Sequence, residues 1–245
     1  MLGDWTEEII AYQRDAVAHG DYYAVLAQKL ALHLPEQAHV CDAGCGMGEL
    51  SLALEPYCAH ITAVDCSERA IACLRERAGE KITVRCAALE DAAPETPYDA
   101  MVFCLFGDME QTLALAAKQC GGTVLLIKRD TQHHYFSAGG EALGRFSADY
   151  TEQFLRERGI PFASERFAAE FGQPLRSLEA AECFFALYNR SRDRTFTREE
   201  IAEKLQKGPS AEFPYYLPHE KHLRLFVLSA DAVRAHLFDS KREND

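Results

Sequence analysis

The stretch Val40-Cys41-Asp42-Ala43-Gly44-Cys45-Gly46-Met47-Gly48-Glu49-Leu50 decides the fold of this chain. Its start is apolar, and its glycines stand at every second position before a helical pattern. It therefore reads as a buried strand that turns through a glycine loop into a helix. Residues without Cβ let the backbone turn sharply and approach a bound group, and the helix that follows offers unpaired N–H groups nearby. The pattern predicts a nucleotide-like ligand. A strand-to-helix turn that holds nothing is the plain alternative.

Outward from this stretch, short apolar runs alternate with helical patterns. Strands are predicted at 38–42, 61–65, 81–86, 99–105 and 122–128, and helices at 48–55, 67–78 and 108–119. Such alternation builds a parallel sheet covered on both faces, an α/β fold. Ser67 reads as an N-cap, Asp108 with Gln111 as a capping box, and Gly121-Gly122 as the stop of that helix. Ahead of the sheet, residues 4–34 carry two helical patterns. Asp21 reads as the cap of the second, whose Tyr22, Leu26, Leu30 and Leu34 recur every four residues until Pro35. Beyond residue 128 a His/Tyr/Gly-rich loop leads to a helix over about 147–158 and a weaker strand near 163–171. Two further helices, from Ser177 and from Thr197 with Glu200 in a capping box, read as inserted before the last strand, 222–228. The tail Lys241–Asp245 is charged and reads as frayed.

The dinucleotide fingerprint needs its third glycine three positions after the second. Here Glu49 holds that slot and Gly48 comes one residue early, which disfavours a nicotinamide dinucleotide. An acid followed by Gly-x-Gly-x-Gly, as in Asp42 to Gly48, resembles instead the class I (Rossmann-like) S-adenosylmethionine (SAM) dependent methyltransferases. Three more motifs follow in that family's order across residues 38–128. Asp65 closes the second strand, where a carboxylate can accept hydrogen bonds from vicinal hydroxyls; the resemblance makes it the ribose ligand, though it also fits as a charge at a helix start beside Ser67. After the third strand, Cys86-Ala87-Ala88-Leu89-Glu90 stands where the family places an acid against the adenine. Ala87 or Ala88 occupies that slot, with Leu89 offering apolar packing and Glu90 a substitute acid. Tyr98-Asp99 then introduces the fourth strand, which ends at Cys104-Leu105-Phe106-Gly107.

The resemblance implies a doubly wound, mostly parallel seven-stranded sheet with helices on both faces, a helical lid over residues 1–35, and a SAM-binding domain over 36–245. A helical insertion over about 173–220 would cover the acceptor side. It implies cofactor contacts from Asp42, Gly44, Cys45, Gly46, Gly48, Asp65, Cys66, Ala88, Leu89, Cys104 and Phe106, and S-adenosylhomocysteine as product. Methyl transfer from a sulfonium is an in-line displacement, so alignment and exclusion of water matter more than a dedicated nucleophile. His133, His134 and Tyr135 follow the fifth strand and are the candidates for removing an acceptor proton; solvated loop side chains are the alternative. Trp5, Tyr12, Tyr22 and Tyr23 either lie over the cofactor or pack the lid to the sheet.

Composition narrows the partners. Of 245 residues, 48% are hydrophobic, ample for a core, and 26 Lys and Arg against 38 Asp and Glu leave a net charge of −12. That balance opposes non-specific attraction to nucleic acid and anionic lipid. The Asn/Asp-Pro-Pro-aromatic run of nucleic-acid amino methyltransferases is also absent. Nine cysteines, mostly in apolar runs, read as reduced core thiols. Cys41 and Cys45 have the spacing of a metal clip but no companion pair, so no metal is expected. No leader pattern or membrane-length apolar run occurs, and a cytoplasmic location is expected. The aromatic residues Phe184, Phe185, Tyr188, Phe213, Tyr215 and Tyr216 suggest an apolar or planar small-molecule acceptor, although core packing explains them too. Two other functions remain open at this point: a Rossmann-type nicotinamide oxidoreductase and a non-catalytic partner protein of the SAM fold. The acceptor, the atom methylated and the oligomeric state are not encoded in any motif.

Overall fold

A computed structural model describes residues 5–242. The strands are β1 (His39–Ala43), β2 (His60–Asp65), β3 (Ile82–Cys86), β4 (Tyr98–Cys104), β5 (Cys120–Arg129), β6 (Ala163–Glu170), β7 (Gln173–Leu175), β8 (Gln206–Lys207), β9 (Tyr215–Leu217) and β10 (Glu220–Ser229). The main sheet has seven strands in the order β3-β2-β1-β4-β5-β10-β6. Its first five members run parallel, and β10 pairs antiparallel with both β5 and β6. The expected Rossmann-like doubly wound sheet is therefore present. Strand order reverses between β1 and β4, and ligands of open parallel sheets bind beyond the strand ends at such a point.

The helices are α1 (Glu7–Ala18), α2 (Tyr22–Ala31), α3 (Glu49–Leu54), α4 (Glu68–Arg75), α5 (Met109–Gln119), α6 (Ala148–Glu157), α7 (Leu178–Tyr188), α8 (Arg198–Lys204) and α9 (Ala230–Arg242). Alternate residues of the central strands serve opposite faces. Cys41, Met101, Phe103, Leu126 and Phe226 pack with Leu113 of α5, Leu155 of α6 and Val233 of α9. Val40, Val102, Leu125, Ile127 and Leu223 pack with Leu26 and Leu30 of α2 and Leu54 of α3. Each fully buried leucine of that second layer contributes roughly 1.5–3 kcal/mol.

The local signals fare unevenly. Ser67 and Thr197 cap α4 and α8 as expected, the latter in a closed capping box with Glu200. Asp108 accepts from the Gln111 N–H, but the Gln111 side chain reaches Glu90 at 2.9 Å instead of closing a box. Asp21 precedes α2 without a side-chain cap bond. Gly121-Gly122 does not end α5, which runs straight into β5 at Cys120. The segment 173–220 contains helices α7 and α8 as expected, and also a small antiparallel sheet, β7-β9-β8, of strands too short to show alternation. Helix α9 was not expected; residues 241 and 242 belong to it rather than to a frayed tail, and 243–245 lie outside the described residues. Among the described residues no helix is long and apolar enough to cross a membrane.

Candidate functional site

At the strand-order reversal, the glycine loop leaves β1 in a conformation that side chains disfavour: φ is 73° at Gly44, 55° at Gly46 and 79° at Gly48. Space demands glycine as well. A Cβ on Gly46 would lie 2.5 Å from Trp5 Cζ2, and one on Gly44 would enter the Phe106 ring. The loop is fixed from beneath, because the Gly44 and Cys45 N–H groups donate to the Val64 carbonyl at 2.9 and 3.0 Å. Arg77 clasps it from the side, donating to the Met47 carbonyl at 2.6 Å and the Glu49 carboxylate at 2.7 Å.

One strand over, the half-buried Asp65 accepts from the Gly46 N–H through Oδ2 at 2.9 Å and from the Ser67 N–H through Oδ1 at 2.8 Å. Each oxygen has a further lone pair, so a vicinal diol can still be accepted. Asp42, at the end of β1, is buried and accepts from Ser51 Oγ at 2.6 Å. Burial pushes its carboxyl up to about 6, the Ser51 bond opposes this, and Asp65 adds to it. A bound cation beside Asp42 would relieve that cost.

Towards the adenine side, the Ala87 N–H donates to the Asp65 carbonyl at 3.1 Å, Ala88 is exposed, and Leu89 is buried with its carbonyl held by Gln119 at 2.8 Å. Glu90 is exposed and engaged by Gln111. Cys66 is exposed, and its carbonyl faces the Cys86 thiol. The Cys45 thiol lies by the Gly46 carbonyl.

After β4 the chain is strained into position: Leu105, not a glycine, has φ 54°, and Gly107 has φ 69°. The buried Lys128 holds this turn by donating to the Phe106 carbonyl at 3.0 Å and the Gly107 carbonyl at 3.1 Å. Burial brings its ammonium down to about 8. Sequence reasoning passed over Lys128; the available signal was a cation pair, Lys128-Arg129, closing an otherwise apolar strand.

The structure thus brings Asp42, Gly44, Cys45, Gly46, Gly48, Asp65, Cys66, Ala88, Leu89, Cys104 and Phe106 to one edge of the sheet, at the ends of β1 to β4. The loop candidates separate. His133 is exposed beside Ala142, and Tyr135 is exposed with its hydroxyl donating to the Pro218 carbonyl at 3.2 Å. His134 is half-buried, and burial with the charges of Arg129 and Arg190 holds its imidazole below the usual histidine range. Of the aromatic candidates, Trp5 lies on the glycine loop, whereas Tyr12 turns to the insertion, donating to the Ala180 carbonyl at 2.9 Å. Tyr22 packs on Phe171, and Tyr23 accepts from Gln13 at 2.6 Å. Among the described residues no three His, Cys, Asp or Glu side chains form a group able to hold a metal.

Residues 40–121, the segment carrying these motifs, match the methyltransferase domain family. A candidate type II methyltransferase from Anaeromyxobacter dehalogenans shares the fold with a TM-score of 0.59 and 19% identity, covering 86% of this chain and 97% of that one. A candidate methyltransferase from Bacillus halodurans C-125 has a TM-score of 0.53 and 12% identity, covering 84% and 98%. A functionally unknown protein from Deinococcus radiodurans R1 also has a TM-score of 0.53, at 15% identity, covering 84% and 86%. No curated protein sequence matches the chain. The cofactor of the matched family is SAM, and the bare glycine floor with a ribose-competent Asp65 fits it. Residues 40–121 thus match a methyltransferase domain, set in a Rossmann-like fold that the chain shares with these solved structures.

Proposed function

We propose that this protein transfers the methyl group of SAM to a small-molecule acceptor. The observation that carries the reading is the Gly46 N–H to Asp65 Oδ2 bond of 2.9 Å, which joins a glycine-rich loop and a carboxylate with lone pairs to spare for a diol. When bound, SAM would supply an electrophilic methyl on a sulfonium, to be taken in line by the acceptor's nucleophilic atom with S-adenosylhomocysteine as the leaving group. The chain's part is placement and dryness. Asp42 supplies negative charge beside the loop, and the Phe106 ring, fixed through Lys128, offers a π-face to a cation. His134 is the candidate base for an acceptor that must lose a proton, since its depressed pKa keeps it neutral and able to accept one. Residues 1–35 act as the lid on the donor, and 173–220 cover the acceptor. The net charge of −12 supports a small molecule over a polyanionic strand.

Calorimetric titration with SAM, S-adenosylhomocysteine and NAD(H) tests the assignment. Binding of the first two is expected; binding of NAD(H) alone would replace it with an oxidoreductase. Tight donor binding without turnover across a broad acceptor screen would leave a non-catalytic partner.

A further inference from the structure

On the α2 side of the sheet lies a group of polar side-chain ends that meet no counter-charge among the described residues. In the antiparallel register Leu223 faces Arg129, so Arg129 on β5 and Lys221 on β10 present their side chains to the same face. Neither side chain makes a hydrogen bond or ion pair among the described residues. Lys221 Nζ rests only on aromatic faces, 4.0 Å from the Phe171 centroid and 4.6 Å from that of Tyr22. The Tyr22 hydroxyl is buried and unpartnered, and the charge of Arg129 acts on it. Arginine and lysine can only donate, and the one acceptor among the three groups, the neutral Tyr22 hydroxyl, brings no negative charge, so two cations stand together without an anion.

Surroundings do not supply one. Asp130, the next residue, is turned to the other face, bound by Arg224 and Arg166. Glu170 is taken up by the Tyr216 hydroxyl at 2.7 Å and the His219 N–H at 3.0 Å. The His219 imidazole is pushed down to about 3 by burial and by Lys221 and Arg129, so it adds no counter-charge. Uncompensated buried cations are costly to a fold and are retained where a ligand completes them. The place is also right: the charges of Asp42, Lys221 and Arg129 all act on the Cys104 thiol at the end of β4. Arg129 and Lys221 therefore sit one and two strands beyond β4, the last strand of the donor cradle.

We infer that Arg129, Lys221 and the Tyr22 hydroxyl form an anion-binding subsite that seats a carboxylate or phosphate group of the methyl acceptor. This rests on the methyltransferase reading above. The aromatic walls, Tyr22 and Phe171, add preference for a planar body behind the anionic group.

Calorimetric titration of the full chain with benzoate, phenyl phosphate and benzamide, with and without S-adenosylhomocysteine, tests it. Either anion is expected to bind at least about tenfold more tightly than benzamide, and the tighter of the two names the group. That preference should vanish in Lys221→Met and Arg129→Met and persist in Lys221→Arg, with S-adenosylhomocysteine affinity unchanged. Absence of anion binding to the wild type, equal binding of benzamide, or a preference surviving both methionine variants would overturn it. So would loss of S-adenosylhomocysteine affinity in those variants, which would put the donor's own carboxylate on these cations. Anion titration without S-adenosylhomocysteine stands alone, so failure of the subsite and failure of the methyltransferase reading are seen separately.

Discussion

Trp5 lies against the backbone of Gly46, so close that a methyl group on that glycine would stand 2.5 Å from the indole. It is the chain's single tryptophan. Its emission therefore reports on the cradle without a label. Titration with S-adenosylhomocysteine should shift or quench it in step with the calorimetric heat, and NAD(H) should leave it still. An unmoved spectrum during measurable binding would place the ligand elsewhere.

Substituting the cradle should remove the donor and spare the sheet. Gly46→Arg is expected to abolish SAM binding, because the residue needs both a positive φ and the space that Trp5 fills. Asp65→Ala should weaken binding by roughly 1–3 kcal/mol through lost charge-assisted hydrogen bonds. Circular dichroism checks the fold, and unchanged affinity in both variants would end the assignment.

Asp42 links pH to stability and to binding with opposite consequences. Its folded pKa of about 6 exceeds the ordinary 3.8, so the native state binds more protons between those values and stability falls as pH rises through them. The full cost is present at neutral pH. Asp42→Asn should then raise unfolding free energy by about 1–3 kcal/mol at neutral pH and by little near pH 4. The same change should weaken SAM, whose affinity for the wild type should decline as pH drops below about 6. Denaturant unfolding at the two pH values, with matched titrations, decides; a destabilised variant at neutral pH would refute the burial argument.

The opposite face of β10 carries a different device. Arg224 is 2% exposed and binds Glu152 at 2.6 Å, Asp149 at 3.0 Å and Asp130, tying α6 to the β5 end. Arg224→Ala should cost about 2–4 kcal/mol by leaving three carboxylates crowded, and Arg224→Met less, since packing is kept. Urea denaturation midpoints measure both; a neutral Arg224→Ala would show the network to be dispensable.

Much of this was legible in the chain. The alternation of apolar runs places β1 to β5 within two residues of the observed ends, because a strand buried on both faces cannot hide its composition. The glycine loop and the acid at the end of β2 were equally plain, since glycines with positive φ and an acid at a strand end are local requirements. Arg129 and Lys221 were not: 92 residues of sequence separate them, and only the antiparallel return of β10 beside β5 brings them to one face. Helix α9 was missed because its polar composition resembles a solvated tail. Asp21 offered a cap that the backbone did not take, with φ −112° and ψ 15° instead of the extended geometry a cap requires.

Helix α1 touches both halves of the site. At its start Trp5 presses on the glycine loop, while farther along Tyr12 binds the Ala180 carbonyl and Asp15 pairs with Arg176 of the insertion. If α1 is the donor lid proposed above, its lifting would also break these contacts to the insertion, and amide exchange in α7 should slow when only the donor is supplied.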